Sequence, residues 1–353
     1  MGGDLAKELQ ERVAAAFNAS LPLAVVGGGS KTFLGREPQG EPLQLADHRG
    51  LVSYQPTELV ITVRAGTPLT EVEAILKDNG QMLAFEPPHF GNTATVGGTV
   101  ACGLSGPRRP YAGAARDYVL GMTVLNGRGD ILRFGGQVMK NVAGFDVSRL
   151  MAGAMGTLGV QLDISLKVLP RPAQEVTLVQ ERTAAEALVV MNHWAGQPLP
   201  LSATCYDGDH LYVRLSGTQR AVESARRRIG GDVLQTAPLF WEGIREHHHG
   251  FFAGQALLWR VAVPPATPPL PFPGKQLIEW NGAQRWLSGE VDRAVIRRLA
   301  MEAGGHFSLF RGGDRSKERL HPLSPTLLDL HRRLKHAFDP RAILNRGRMY
   351  AWC

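Results

Sequence analysis

The sequence predicts an α+β protein of two domains, the first built around glycine loops. Three observations carry that expectation. The chain has 353 residues, room for about two domains at roughly 150 residues each. Strand-like apolar runs interleave with segments of helical period along its length. Its 41 glycines and 23 prolines make up about 18 % of the chain, against an average of about 12 %, yet they cluster instead of spreading as in a disordered chain.

Met1 to Phe17 places Leu5, Leu9, Val13 and Phe17 at helical spacing with charges between them, an amphipathic helix without a signal-peptide core. Leu23 to Val26 reads as a buried strand, followed directly by Gly27-Gly28-Gly29-Ser30-Lys31. Strands are expected over Leu43 to Leu45 and Leu59 to Val63. Thr70 to Gly80 predicts a helix with Thr70 as N-cap, Leu69, Val72, Ile75 and Leu76 on its apolar face, and Gly80 at its end. Pro87 and Pro88 break the chain. Gly91 to Gly106 is too glycine-rich for an ordinary helix and too patterned for a linker, so a ligand-facing loop is expected. Val119 to Leu125 and Ile131 to Phe134 flank Asn126-Gly127, the strong short-range signal of a β-hairpin. A helix from Asp146 to Met151, a turn at Gly156-Thr157-Leu158-Gly159 and an alternating strand from Val160 to Val168 follow, and Pro170 and Pro172 place a boundary near residue 172.

Beyond it, strands at Glu175 to Gln180, Ala203 to Asp207 and His210 to Leu215 alternate with helices at Ala184 to His193 and Thr218 to Ile229, a small α+β cap domain. Pro264 to Pro273 reads as a stiff loop between strands in preference to a polyproline ligand. A helix from Pro325 to Ala337 precedes a loop through Asn345, Gly347 and Arg348, expected to return to the first domain. The expected domains are residues 1–172, 173–320 and a C-terminal segment, 321–353.

Cys102, Cys205 and Cys353 lie far apart with no CxxC pair, which argues against a disulfide framework, a cysteine-rich zinc site or an iron–sulfur cluster made by this chain alone. The best apolar run, Phe251 to Val263, is broken by Gln255 and Arg260 and falls short of a membrane span. A cytoplasmic protein is expected, with peripheral attachment to the inner face of the cytoplasmic membrane left open. Net charge is +7. Residues 291–353 hold 13 Lys and Arg against 6 Asp and Glu, so the excess is all C-terminal. An acidic partner, anionic lipid or a bound phosphate would suit it, and no recognition motif speaks for nucleic acid.

Three glycines after a buried strand let main-chain N–H groups approach an anion closely, so Gly27 to Ser30 is a candidate phosphate cradle. It is neither a P-loop nor a GxGxxG turn, and Asp47, twenty residues on, is a weak ribose-acid coincidence. A second glycine cluster in the same domain suits a ligand with a pyrophosphate between flat rings, the shape of FAD. Each charge-assisted N–H contact to such an anion contributes about 1.5–3 kcal/mol.

Gly27 to Lys31, Pro87-Pro88 with Thr95-Val96-Gly97-Gly98, Lys140-Asn141-Val142-Ala143-Gly144-Phe145-Asp146, and Gly156 to Val160 occur in an order that resembles the vanillyl-alcohol-oxidase (PCMH) type of FAD-binding domain. With Ser105 to Tyr111, Arg116-Asp117, Gly304-Gly305-His306 and the ending Phe338 to Tyr350, the whole chain is similar to the FAD-binding E subunits of bacterial glycolate oxidases. The resemblance implies a two-subdomain FAD domain, a cap and a returning C-terminal segment. It implies that Gly27, Gly28, Gly29, Ser30 and Lys31 hold the pyrophosphate. Thr95, Val96, Gly97, Gly98, Gly103, Ser105 and Gly106 would then run along it toward the flavin, Gly156, Gly159 and Val160 would close over the adenine side, and Pro87, Gly144 and Asp146 would also belong to the cofactor site. Arg109, Tyr111, Arg116 and Asp117 continue the cleft, and Asn345 and Arg348 approach the flavin ring. Phe145 and Arg346 stand where relatives often have tyrosine and proline.

With no histidine in the first glycine loop, noncovalent FAD is implied. The cap lacks the His-x-Gly-Asp-Gly-Asn-x-His metal motif of catalytic 2-hydroxy-acid dehydrogenases, and His247-His248-His249 is expected to be a solvated loop and no metal site. The resemblance therefore implies partners: a larger catalytic FAD subunit that oxidises glycolate and an iron–sulfur subunit that takes the electrons. His306 and Arg348 remain candidates for contact with flavin or substrate. Two alternatives stay open, a self-sufficient 2-hydroxy-acid dehydrogenase with Arg348 on the substrate carboxylate, and a scaffold without cofactor.

Overall fold

The computed structural model describes residues 3–136, 146–254 and 257–353. Gly144, with most of its motif, lies outside the described residues. The chain forms two compact units. The first comprises Met1–Leu104, Ala114–Pro170 and Asp314–Cys353, the second Ser105–Gly113 and Arg171–Gly313.

In the first unit, the helix Ala6–Ala19 buries Leu9, Val13 and Ala16. Leu23–Val26 pairs in parallel with Glu41–Gln44. A separate antiparallel sheet has the order Leu51–Gln55, Val60–Arg64, Val160–Lys167, Val119–Leu125, Ile131–Gly135. Its last two strands are the expected Asn-Gly hairpin. Val160–Lys167 is buried on both faces, not alternating, because it is the central strand, and the hydroxyls of Thr62 and Ser165 satisfy one another there at 2.8 Å.

Two further expectations change in this unit. The helix at Leu69–Asp78 begins one residue before Thr70, which therefore lies inside it and caps nothing. The stretch from Gly91 to Gly106 is not one loop, because Val96–Cys102 is a helix. The Thr95 side chain accepts the Gly98 N–H at 3.2 Å, and Gly103, at φ +62°, ends the helix in the left-handed region. Packing outweighs glycine's poor helix propensity here. A Cβ on Gly97 would stand 2.6 Å from the Ala65 Cβ, so only glycine lets the helix come this near.

The second unit is an eight-stranded sheet whose pairings are all antiparallel. The helices Ala184–Ala195 and Gln219–Ile229 bury Leu188, Met191, Val222 and Ala225 with Leu178, Leu211 and Val213 of the sheet. Thr183 and Glu186 form a reciprocal capping box on the first of them. A second cluster joins Val261, Leu287 and Phe307 to Ile296 and Leu299 of the helix Arg293–Glu302, and takes in Phe272 from the proline-rich loop. That loop is thus packed against core. The histidine run is a loop that is only partly solvated: His248 is exposed, while His247 is half-buried and stacks on Phe252 at 4.0 Å, and desolvation drives its pKa well below the usual value.

The C-terminal helix, Pro325–Phe338, leads back into the first unit through a buried ion pair. Lys335 Nζ donates to Asp339 Oδ2 at 2.9 Å and to the carbonyls of Thr157 and Leu344 at 2.7 and 2.9 Å. Asp339 in turn accepts the N–H groups of Ile343 and Leu344. Among the described residues, no helix is long and apolar enough to cross a membrane.

Removing one member of such a pair strands the other, so Asp339→Ala is expected to cost about 3–5 kcal/mol, read as a lower urea midpoint. A second effect depends on pH. His48 is 1 % exposed, and its Nδ1 accepts the Leu5 N–H at 3.0 Å. Burial lowers its pKa from 6.5, with Asp163 and Asp4 opposing. As pH falls the unfolded chain is protonated first, so this contribution is complete above pH 6.5 and declines below it. His48→Gln should therefore flatten the loss of stability in urea titrations taken from neutral pH to about pH 5.

Candidate functional site

A cleft of about 350 Å³ in the first unit gathers most of the glycines singled out in the sequence, and this size suits a small-molecule site. The strand Leu23–Val26 leads into Gly27, Gly28, Gly29, Ser30 and Lys31, which line it. Thr95, Gly97, Gly98, Ala101 and Cys102 come from the small-residue helix and its cap, and Met155, Gly156, Gly159 and Gln161 from the segment entering the central strand. Arg315, Asn345 and Arg348 come from the C-terminal segment.

A Cβ on Gly28 would lie 1.5 Å from the Thr93 carbonyl oxygen, so no other residue fits between the two loops. Among the described residues, the main-chain N–H groups of Gly27, Gly28, Gly29 and Ser30 have no acceptor in the protein. Gly97 and Gly98 line the same cleft but spend their N–H groups on Ala65 O and Thr95 Oγ1, and thus shape the wall without donating into it. The donor-rich part is the first glycine loop.

Cationic side chains surround that loop. Lys31 is 5 % exposed, and its Nζ donates to His89 O at 3.1 Å and Ser30 Oγ at 3.3 Å. Arg348 Nη2 donates to the Lys31 carbonyl at 3.3 Å. Burial lowers the Arg348 pKa and Arg315 adds to the lowering, while Cys102 and Glu37 oppose it. The Cys102 thiol is pushed up by burial, against the pull of Lys31 and Arg348. Two buried polar atoms in the lining have no partner, the Arg315 Nε donor and the Gln161 Oε1 acceptor. A ligand that is anionic and also carries hydrogen-bond donors answers both, as a phosphate-linked dinucleotide with hydroxyl and amino groups does; a bare anion leaves Gln161 unsatisfied.

Residues 5–135 match a family described as FAD binding domain. The chain is 48 % identical over 348 residues to the glycolate oxidase subunit GlcE of Escherichia coli (strain K12), covering 99 % of this chain and 98 % of that protein. The chain belongs to the GlcE family. It is also 29 % identical over 197 residues to the glycolate oxidase subunit GlcD of Bacillus subtilis (strain 168), covering 55 % of this chain and 42 % of that protein. The solved structure of an alkyldihydroxyacetonephosphate synthase superposes with a TM-score of 0.68 at 15 % identity, covering 96 % of this chain and 75 % of that one, which shows that this GlcE-family chain has the two-subdomain PCMH-type fold.

Other residues singled out in the sequence lie elsewhere. Within the second unit, Arg109 stacks at 4.3 Å on Trp280, Gly106 O accepts the Trp280 indole N–H, and the Tyr111 hydroxyl donates to Asn281 Oδ1 at 2.6 Å. Ser105 belongs to that unit as well, and burial raises the Tyr111 pKa. Arg116 and Asp117 are an exposed pair at 3.8 Å, and Asp117 also accepts the Ala114 N–H. Asp146 caps the helix Val147–Met151, and Asp47 sits in an exposed turn. Pro87, Val96, Gly103 and Val160 support the first unit without lining its cleft, and His306 is exposed on the strand His306–Arg311. The motifs missed several lining residues, Gln161 among them and above all Arg315. The only signal for it was the basic excess of the last third of the chain.

In this GlcE-family chain Asn345 holds the cleft together. Its Oδ1 accepts the Val25 N–H at 2.7 Å, and its Nδ2 donates to Met155 O at 2.6 Å. Asn345→Leu leaves both groups without a partner and is expected to cost about 1–3 kcal/mol for each buried group so stranded, measured by urea unfolding.

Proposed function

We propose that this chain is the FAD-binding subunit of a multi-subunit glycolate oxidase, which oxidises glycolate to glyoxylate. The observation that carries the reading is the match to the E. coli subunit, which runs from end to end and spans both compact units. The first glycine loop supports it, since its free N–H groups and flanking cations suit the pyrophosphate of FAD. Gly27 to Ser30 would hold that group, Lys31 and its hydrogen bonds would fix the loop, and Gln161 would accept a hydroxyl or amino hydrogen. When bound, FAD supplies the two-electron chemistry, and the chain supplies position and electrostatics.

Within the complex, a larger flavoprotein subunit carries the glycolate site and this chain takes part in relay or assembly. The absence from its sequence of the His-x-Gly-Asp-Gly-Asn-x-His pattern supports that division. An iron–sulfur subunit receives the electrons, and contact with the membrane is made through the partners.

Copurification of the full complex, followed by a flavin count and a glycolate-reduction assay for each subunit, tests this. FAD should be found on this chain, and glycolate should reduce it at the complex's rate only in the presence of the larger subunit. A colourless chain would overturn the cofactor assignment; reduction of the isolated chain at the complex's rate would overturn the division of labour. Gly28→Ala should weaken FAD binding about 100-fold or more by displacing at least two charge-assisted contacts, measured by flavin fluorescence.

A further inference from the structure

Arg348 is a candidate for two quite different tasks, holding a substrate carboxylate or approaching the flavin ring. Its surroundings speak for a third. Arg348 Nη2 is bonded to the carbonyl of Lys31, the last residue of the glycine loop. The neighbouring chain joins the same construction. Arg36 N–H donates to Arg348 O, Gln39 N–H to Arg346 O and Glu37 N–H to Arg315 O, so residues 36–39 are gripped by both parts of the C-terminal segment. Arg315 Nη2 donates to Arg36 O at 3.2 Å, which aligns its guanidinium while its Nε stays buried without a partner.

Neither arginine forms an ion pair with a carboxylate among the described residues. Both line one cleft, are close enough to repel one another, and stand beside four main-chain N–H groups that have no acceptor. Glu37 is the carboxylate in the lining, and it is exposed. Two like charges held by backbone carbonyls, with no carboxylate in ion-pair contact with either among the described residues, suit an anion of more than one charge.

We propose that Arg315 and Arg348 form a clamp for the diphosphate of the dinucleotide, and that the clamp, not a contact with substrate, sets the preference of this chain for FAD over flavins without a diphosphate. The inference rests on the FAD reading above and deepens it. It also gives the basic C-terminal third a task inside the fold.

The test uses the full-length chain freed of flavin, titrated with FAD, riboflavin and ADP. Riboflavin carries the ring and no phosphate; ADP carries the diphosphate and no flavin. Arg315→Gln and Arg348→Gln should each weaken FAD and ADP by about 10- to 100-fold and leave riboflavin unchanged. Arg→Lys at either position should restore part of the loss, since the charge survives. Rising salt should weaken FAD binding to the wild type more than to the double Gln variant.

Unchanged FAD affinity in both Gln variants would overturn the clamp while leaving the function standing. Equal losses for FAD and riboflavin, without rescue by lysine, would assign the arginines to the framework of the cleft and overturn it as well. Arginine-dependent binding of ADP by a wild type that binds neither flavin would keep the clamp and remove the FAD reading.

Discussion

Four consecutive main-chain N–H groups of the first glycine loop have no acceptor in the protein among the described residues, and the first unit is arranged around keeping them so. The parallel pairing of Leu23–Val26 with Glu41–Gln44 stops as the chain enters Gly27, so no neighbouring strand consumes the donors. Thr93 approaches Gly28 so closely that a side chain there would collide with its carbonyl. The small-residue helix satisfies its own first N–H groups with Ala65 and Thr95 and leaves the loop alone. What results is a set of oriented dipoles that a bound anion can use without reorganising them.

The position of the cations depends on the C-terminal return. Arg315 and Arg348 sit in sequence on either side of the helix Pro325–Phe338, and neither would stay beside the glycine loop without a restraint. Part of the restraint is their own bonding to Lys31, Arg36 and Glu37, and part, for Arg348, is the Lys335–Asp339 pair, which binds the carbonyls of Thr157 and Leu344 and holds the turn at Ile343. Asn345 extends it to the strand that feeds the cradle. One buried pair that does not line the cleft thus helps to position a cation that does.

Much of this was legible in the sequence wherever a local pattern decides the structure. The Asn-Gly hairpin, the strand ahead of Gly27 and the capped helices of the second unit follow from turn chemistry and period. Val96–Cys102 was not legible, because glycine propensity argues against a helix and the reason for it lies in Ala65, some thirty residues earlier. The stretch from Ser105 to Tyr111 reads as a continuation of the glycine cluster, yet Trp280 and Asn281 hold it in the second unit through contacts that no local pattern encodes. His247 reads as one of three polar residues, but a left-handed helix end turns its ring onto Phe252. Arg315 has no motif at all. Its place depends on a chain reversal, and the sequence showed only a surplus of charge near its end.

That surplus links folding to ligand binding. Arginines crowded into one cleft raise the free energy of the empty fold, and on the proposed reading a diphosphate would relieve the repulsion while also accepting the N–H groups of the glycine loop. Doing both only in the folded chain, the anion would stabilise that chain by mass action. The latch at Lys335 and Asp339, on which several hydrogen bonds converge, would then help to hold the Arg348 loop in place before a ligand arrives. A weaker latch would let the C-terminal segment drift outward under its own repulsion, and the glycine loop, though intact, would then offer an anion its dipoles without the accompanying charge.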